Sequence, residues 1–214
     1  MDRIDQISAA EEFVKQKISE YDSGHDWWHI ERVRGLSKYI NEKELFIADP
    51  FTLDIAVLLH DTVDSKFQKK DSDNGYNIIE SFLDNTGLSG IKVQVVEAIK
   101  NVSFSNKNPS GNLNDPVFLI MQDADRLDAL GAIGIARAFN YGGFRNNPIY
   151  LPAENLQGAS KTTIGHFYDK LLRLNGLMNT QTGKQLAEER HRYLEMYLER
   201  FFKEWEFGLN VNKD

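Results

Sequence analysis

Residues 115–139, DPVFLIMQDADRLDALGAIGIARAF, are apolar or small at almost every position except for one tight acidic cluster. A segment apolar on all sides is a helix surrounded by other helices, so this stretch is predicted to be the central helix of an all-α protein. Asp115-Pro116 supplies a capping acid and then a proline at the first helical position, and Gly142-Gly143 is expected to stop the helix. The cluster Asp123-Ala124-Asp125-Arg126-Leu127-Asp128 is the exception that needs a reason. A carboxylate buried without a partner costs several kcal/mol, so the acids require a cation, hydrogen bonds or a metal.

Helical signals extend outward in both directions. Ser8 and Glu11 are spaced as a capping box ahead of Phe13, Val14 and Ile18. Trp27, Ile30, Val33, Leu36 and Ile40 recur at three to four residues, with Asp26 as the natural N-cap and His29 on the edge of the stripe. Asp49-Pro50 opens the apolar run from Leu53 to Leu59, which ends in His60-Asp61. Tyr76, Ile79, Phe82 and Leu83 form another face that Gly87 can terminate, and Ile91, Val95, Ile99 and Val102 form the next. Ile164, Phe167, Leu171 and Leu174 predict a penultimate helix. Thr182 and Gln185 make a capping box for a last one carrying Leu186, Tyr193, Tyr197, Phe201 and Trp205. Segments 103–115 and 141–160, rich in Ser, Asn, Pro and Gly, are expected to be long loops. No strand alternation, repeat or linker interrupts this pattern. The expectation is one domain over 1–214, with a core of about 25–140 and C-terminal helices at about 160–206.

Composition narrows the function. Lys plus Arg number 25 against 32 Asp plus Glu, a net charge of -7, which is the wrong sign for neutralising the phosphates of a nucleic-acid polymer. Cysteine is absent, which excludes thiolate metal sites and cysteine nucleophiles. No apolar run approaches the roughly 20 residues that span a bilayer, and the first segment lacks the apolar centre of a signal peptide. A soluble cytoplasmic protein with no membrane partner is expected.

Two of the five histidines have unusual settings: His29 near the start of its helix, and His60 at the end of an apolar helix, followed directly by Asp61. Imidazole and carboxylate together suit a divalent ion such as Mn, Fe, Co, Ni or Zn, and a set of two His and two Asp leaves positions open for water and substrate. Structural readings stand beside this one. Asp125 could pair with an arginine, His60 could be a charge at a helix C-terminus, and His29 a satisfied boundary residue.

The residues His29, His60-Asp61 and Asp125 resemble the H…HD…D signature of the HD-domain metal-dependent phosphohydrolases, an all-helical superfamily. The similarity extends through HDWWHIERV, LLHDTVDSKF, QDADRLDALGAIGIARAF and the later HFYDKLL, MNT and RH, from about His25 to Trp205. It resembles the small bacterial HD hydrolases of the YpgQ and YedJ kind, some of which are described as nucleotide pyrophosphohydrolases. The resemblance implies one divalent metal (Mn, Ni, Fe, Co, Mg or Zn) held by His29, His60, Asp61 and Asp125, with Asp123 and Asp128 as alternatives to Asp125. It implies Asp64 as the acid that orients the attacking water. Arg32, Lys66, His166 and Lys170 are then the phosphate or leaving-group contacts, and Asp128 either orients a ligand, touches a ribose or pairs with a nearby base. Relatives that hydrolyse guanosine alarmones carry two consecutive acids where this chain has Asp64-Ser65, which argues against that substrate. The implied activity is cleavage of a small phosphorylated substrate, first a nucleoside triphosphate to monophosphate and pyrophosphate. A phosphodiesterase, a nucleoside monophosphate phosphatase and a non-catalytic nucleotide or metal sensor are the alternatives.

Overall fold

The computed structural model describes residues 1–18, 26–62, 72–102, 110–152, 156 and 161–210, and among them every regular element is helical. The chain forms two compact units, Met1–Asp125 with Asn179–Gly183, and Arg126–Met178 with Lys184–Asp214. Among the described residues, no helix is long and apolar enough to cross a membrane.

In the first unit, α1 (Arg3–Ile18) packs against α3 (Pro50–Leu59) and α2 (Trp27–Lys43), burying Ala10, Val14 and Ile18 from one face. The expected capping box at Ser8 and Glu11 lies inside this helix. The chain is already helical five residues earlier because the Asp2 carboxylate accepts hydrogen bonds from the N–H groups of Ile4 and Asp5, each at 2.9 Å. Asp26 caps α2, accepting from His29 N–H at 2.8 Å, and Asp49 caps α3 through Thr52 N–H at 2.9 Å. α4 (Ser72–Asn85) stacks Phe82 on Phe13 with ring centroids 4.5 Å apart. It ends where Gly87 adopts φ 75° and Leu88 N–H reaches back to the Leu83 carbonyl at 2.7 Å. α5 (Lys92–Val102) lies against α3 and α4.

α2 and α3 form a helical hairpin whose connection, Glu44–Asp49, is closed from Asn41, whose carbonyl takes the Phe46 N–H at 2.7 Å. Asn41 accepts from Ala48 N–H at 3.1 Å and donates to the Ala48 carbonyl at 3.0 Å. Inside that closure Leu45 and Phe46 are left-handed, at φ 60° and 58°, and both are exposed.

The predicted central helix is two helices. α6 (Pro116–Asp128) stops short, and α7 (Gly131–Phe144) begins after Ala129-Leu130. Gly131 turns the chain at φ 68°, and at Gly134 a Cβ would lie 2.2 Å from the Ala129 carbonyl oxygen, so the new helix starts against backbone that no side chain could approach. Gly142-Gly143 does not stop α7 either. Gly142 is where a Cβ would meet Thr163 Oγ1 at 2.1 Å, and the helix closes at Phe144, followed by Asn146 at φ 55°.

The rest of the second unit comprises α8 (Thr163–His166), a π-helical turn (Phe167–Leu171), α9 (Leu172–Leu174), a 3-10 turn (Asn175–Leu177) and most of α10 (Gln181–Asn210). The expected penultimate helix is present, burying Ile164, Phe167, Leu171 and Leu174, but it widens in the turn at Phe167–Leu171, which departs from the 3.6-residue repeat. Its aromatic core stacks Phe167 on Tyr197 and sets Tyr150 edge-on to Phe201, Phe202 and Trp205. The last helix begins one residue before the expected cap at Thr182. Thr180 Oγ1 accepts from Gly183 N–H at 2.9 Å and is the cap.

Candidate metal centre

Three segments of the first unit bring the predicted ligands together. His29 sits in the first turn of α2, and the Asp26 cap on its own N–H fixes that turn. Its side chain lies on the buried face with Ile30 and Val33. His60 and Asp61 follow the last residue of α3, where Thr62 N–H and hydroxyl both donate to the Leu59 carbonyl, at 3.1 and 2.7 Å, and tighten the turn. Asp125 comes from α6 and is about a third exposed, at 32%.

The two imidazole rings stand edge to face with centroids 5.4 Å apart. Asp61 reaches both: Oδ2 is 3.1 Å from His29 Nε2 and Oδ1 is 3.5 Å from His60 Nε2. Asp125 Oδ1 lies 3.5 Å from His29 Nε2 and 3.9 Å from His60 Nε2. One ligand atom from each of His29, His60 and Asp125 falls within 4.8 Å of the other two.

Hydrogen bonding fixes the form of His60. Its Nδ1 is 2.7 Å from the Val57 carbonyl, which can only accept, so in the neutral ring Nδ1 carries the proton and Nε2 presents a lone pair. That Nε2 is buried and has no hydrogen-bond partner among the described residues. An imidazole lone pair with no donor to meet it, facing two carboxylates and a second imidazole, fits a divalent cation of the N/O-binding class. A solvent-facing Asp125 leaves an approach for further ligands.

The alternatives within the acidic cluster separate clearly. Asp123 is fully buried and accepts four hydrogen bonds, from the N–H groups of Asn179 and Thr180 at 2.8 and 2.7 Å, the Asn179 amide at 3.0 Å and the Thr180 hydroxyl at 2.8 Å. It anchors the segment leading into α10 and has no place among the ligands. Asp128 is buried in the second unit and ion-paired to Arg137 Nη1 at 2.8 Å. The partner is Arg137, nine residues on and itself partly exposed.

Arg32 lies on α2, three residues past His29 and half-buried. His166 ends α8 and Lys170 lies in the π-helical turn, both in the second unit. Asp64 and Lys66 fall outside the described residues.

One feature of this region escapes the sequence reading. Asp54 sits in the middle of the apolar run of α3, buried, and takes a two-point fork from Arg34 of α2: Nε to Oδ1 at 2.6 Å and Nη2 to Oδ2 at 2.8 Å. Arg34 also donates to Glu11 of α1 at 2.7 Å. The hydrogen bond to Asp54 holds the Arg34 pKa above its ordinary value despite burial. A charged residue in a run otherwise apolar on every side was the available signal.

Residues 27–130 match the model of the HD domain. YpgQ of Bacillus subtilis is 34% identical over 211 residues, spanning 95% of this chain and 96% of its own length. A crystal structure of an HD-superfamily hydrolase from Bacillus thuringiensis is 36% identical, covers 96% of this chain and 99% of that one, and superimposes with a TM-score of 0.75. The crystal structure of B. subtilis YpgQ in complex with ADP superimposes equally, at 0.75, with 34% identity over 95% of this chain and 97% of that one.

Proposed function

The chain belongs to the HD-domain family of metal-dependent phosphohydrolases, and on that premise we propose that it hydrolyses a nucleoside triphosphate to the monophosphate and pyrophosphate. The observation that carries the reading is the meeting of His29, His60, Asp61 and Asp125, with the Nε2 of His60 turned inward by Val57. The ADP held by the YpgQ relative supports a nucleotide as the substrate class. The acidic net charge is compatible with a mononucleotide, which needs local cations and no basic stripe.

A divalent cation, when bound by this set, supplies Lewis acidity: it makes a water more acidic and draws charge from a phosphoryl oxygen. The protein's side chains supply the rest. The two imidazoles and two carboxylates hold the cation with low net charge, so that an anionic substrate is not repelled. Asp64 orients the attacking water and receives its proton. Arg32, Lys66, His166 and Lys170 are assigned to the phosphates, whose charge grows in the transition state. The new bond joins water oxygen to the α-phosphorus, and the α–β bridging bond breaks, its electron pair leaving with pyrophosphate.

Hydrolysis of ATP with Mn in 18O-labelled water tests this assignment. The expected products are AMP carrying the label and unlabelled pyrophosphate, with activity lost on adding EDTA or in Asp61→Ala. Label in inorganic phosphate with ADP as co-product, or metal binding without turnover across a panel of phosphate compounds, would overturn it.

A further inference from the structure

We infer that the Arg34–Asp54 fork is a register clasp that sets the spacing of His29 and His60, acting on the metal centre as a positioning pair without touching it. The inference rests on the metal reading above and concerns how the α2–α3 hairpin holds its two imidazoles.

The hairpin is joined at three levels. Asn41 grips Ala48 at the turn, Arg34 grips Asp54 in the middle, and His29 meets His60 at the open end. Five residues separate His29 from Arg34 while six separate Asp54 from His60, and seven run from Arg34 to Asn41 against six from Ala48 to Asp54. Each advance along α2 is matched by a retreat along α3, so the three contacts are rungs of one antiparallel register.

Apolar packing alone specifies that register weakly. From Thr52 to Leu59 every residue of α3 is buried, and all but Thr52 and Asp54 are aliphatic. Burial is rewarded without regard to direction, so an all-round apolar helix has no single face to lock. A slip of one residue displaces a helix by about 1.5 Å and turns it by about 100°, enough to separate the ligands while most apolar area stays covered. A fork of two parallel charge-assisted hydrogen bonds tolerates neither movement. Glu11 on α1 and, at 3.4 Å, Glu31 on α2 also bond Arg34, so its guanidinium cannot follow Asp54 if α3 shifts. Lys38 Nζ, 3.7 Å from Asp54, is exposed and adds only charge.

The discriminating variant is Arg34→Met with Asp54→Leu, since an apolar pair of similar volume often replaces a buried ion pair without loss of stability. Divalent-metal affinity is read by calorimetry with Mn and by the visible spectrum of the Co(II) form, alongside the melting temperature of the metal-free protein. The expected result is a melting temperature near wild type with metal affinity weaker by about tenfold or more, the scale on which ligand-orienting groups act. The Co(II) spectrum should also change. Arg34→Lys, which keeps the charge and loses the fork, should weaken metal binding in the same direction and decides the matter if the double variant does not fold. Wild-type affinity and an unchanged Co(II) spectrum in a folded double variant, or in Arg34→Lys, overturn the clasp and leave the metal reading intact. A wild-type protein that binds no divalent metal overturns the metal reading and the clasp with it.

Discussion

Asp123 and Asp125 stand two residues apart on α6 and serve opposite ends of the chain: Asp125 Oδ1 faces His29 at 3.5 Å, while Asp123 Oδ2 takes the Thr180 N–H at 2.7 Å. Two positions on a helix are about 200° apart, so neither side chain can take over the other's task.

Replacing Asp123 with Ala is expected to destabilise the protein by about 3 kcal/mol, because several buried donors of residues 179–180 lose their acceptor together. Gly183→Ala should be destabilising as well, against helix propensity, since its Cβ would lie 2.3 Å from Asp123 Oδ2. Urea unfolding measures both. A Gly183→Ala protein as stable as wild type would show that the Asp123 carboxylate is not seated against α10.

His60→Ala is expected to abolish the rise in melting temperature that Mn produces in the wild-type protein, by removing the lone pair that Val57 orients. Thermal melts with and without Mn, together with titration calorimetry, read the loss.

The Thr52 N–H bonded to the Asp49 carboxylate holds its pKa below the ordinary carboxylate value. Such a group adds stability above its unfolded pKa, about 3.9 for Asp, and loses it as pH falls through the lower folded value. Asp49→Ala should therefore cost about 1 kcal/mol at neutral pH, and the two stability curves should converge in acid. Asp49→Asn, which keeps a capping oxygen, should lose less at pH 7.

Leu45→Gly is expected to stabilise the fold by about 0.5–1 kcal/mol. A left-handed leucine costs roughly 1–2 kcal/mol relative to glycine, partly offset by the greater freedom of glycine in the unfolded chain. Leu45 is 86% exposed, so little packing is forfeited. Denaturant midpoints give the sign directly.

Features legible in the sequence share a physical character: they act over one turn. Asp26, Asp49 with Pro50, and Asp115 with Pro116 cap helices through N–H groups two or three residues away, and each does so in the structure. The break at Ala129–Gly131 was not legible, because Gly131 and Gly134 read equally well as small packing residues of a continuous helix. The choice of Asp125 over Asp123 was not fixed by local pattern either. What occupies Asp123 is a segment 56 and 57 residues further on, and only the family resemblance favoured its neighbour. Arg34 and Asp54, 20 residues apart, fall between these cases: the buried charge was visible, its partner was not.

Asn41 has a practical consequence. By bracketing the N–H and the carbonyl of Ala48 with its side chain, and taking the Phe46 N–H on its own carbonyl at 2.7 Å, it ties the α2–α3 hairpin at the base of the Leu45-Phe46-Ile47 tip, so the closure needs none of the tip's exposed side chains. A foreign peptide spliced in beside Ile47, an affinity tag or a fluorophore acceptor, would ride on the far end of the hairpin from the imidazoles. That makes this corner a natural handle for immobilising the protein or labelling it.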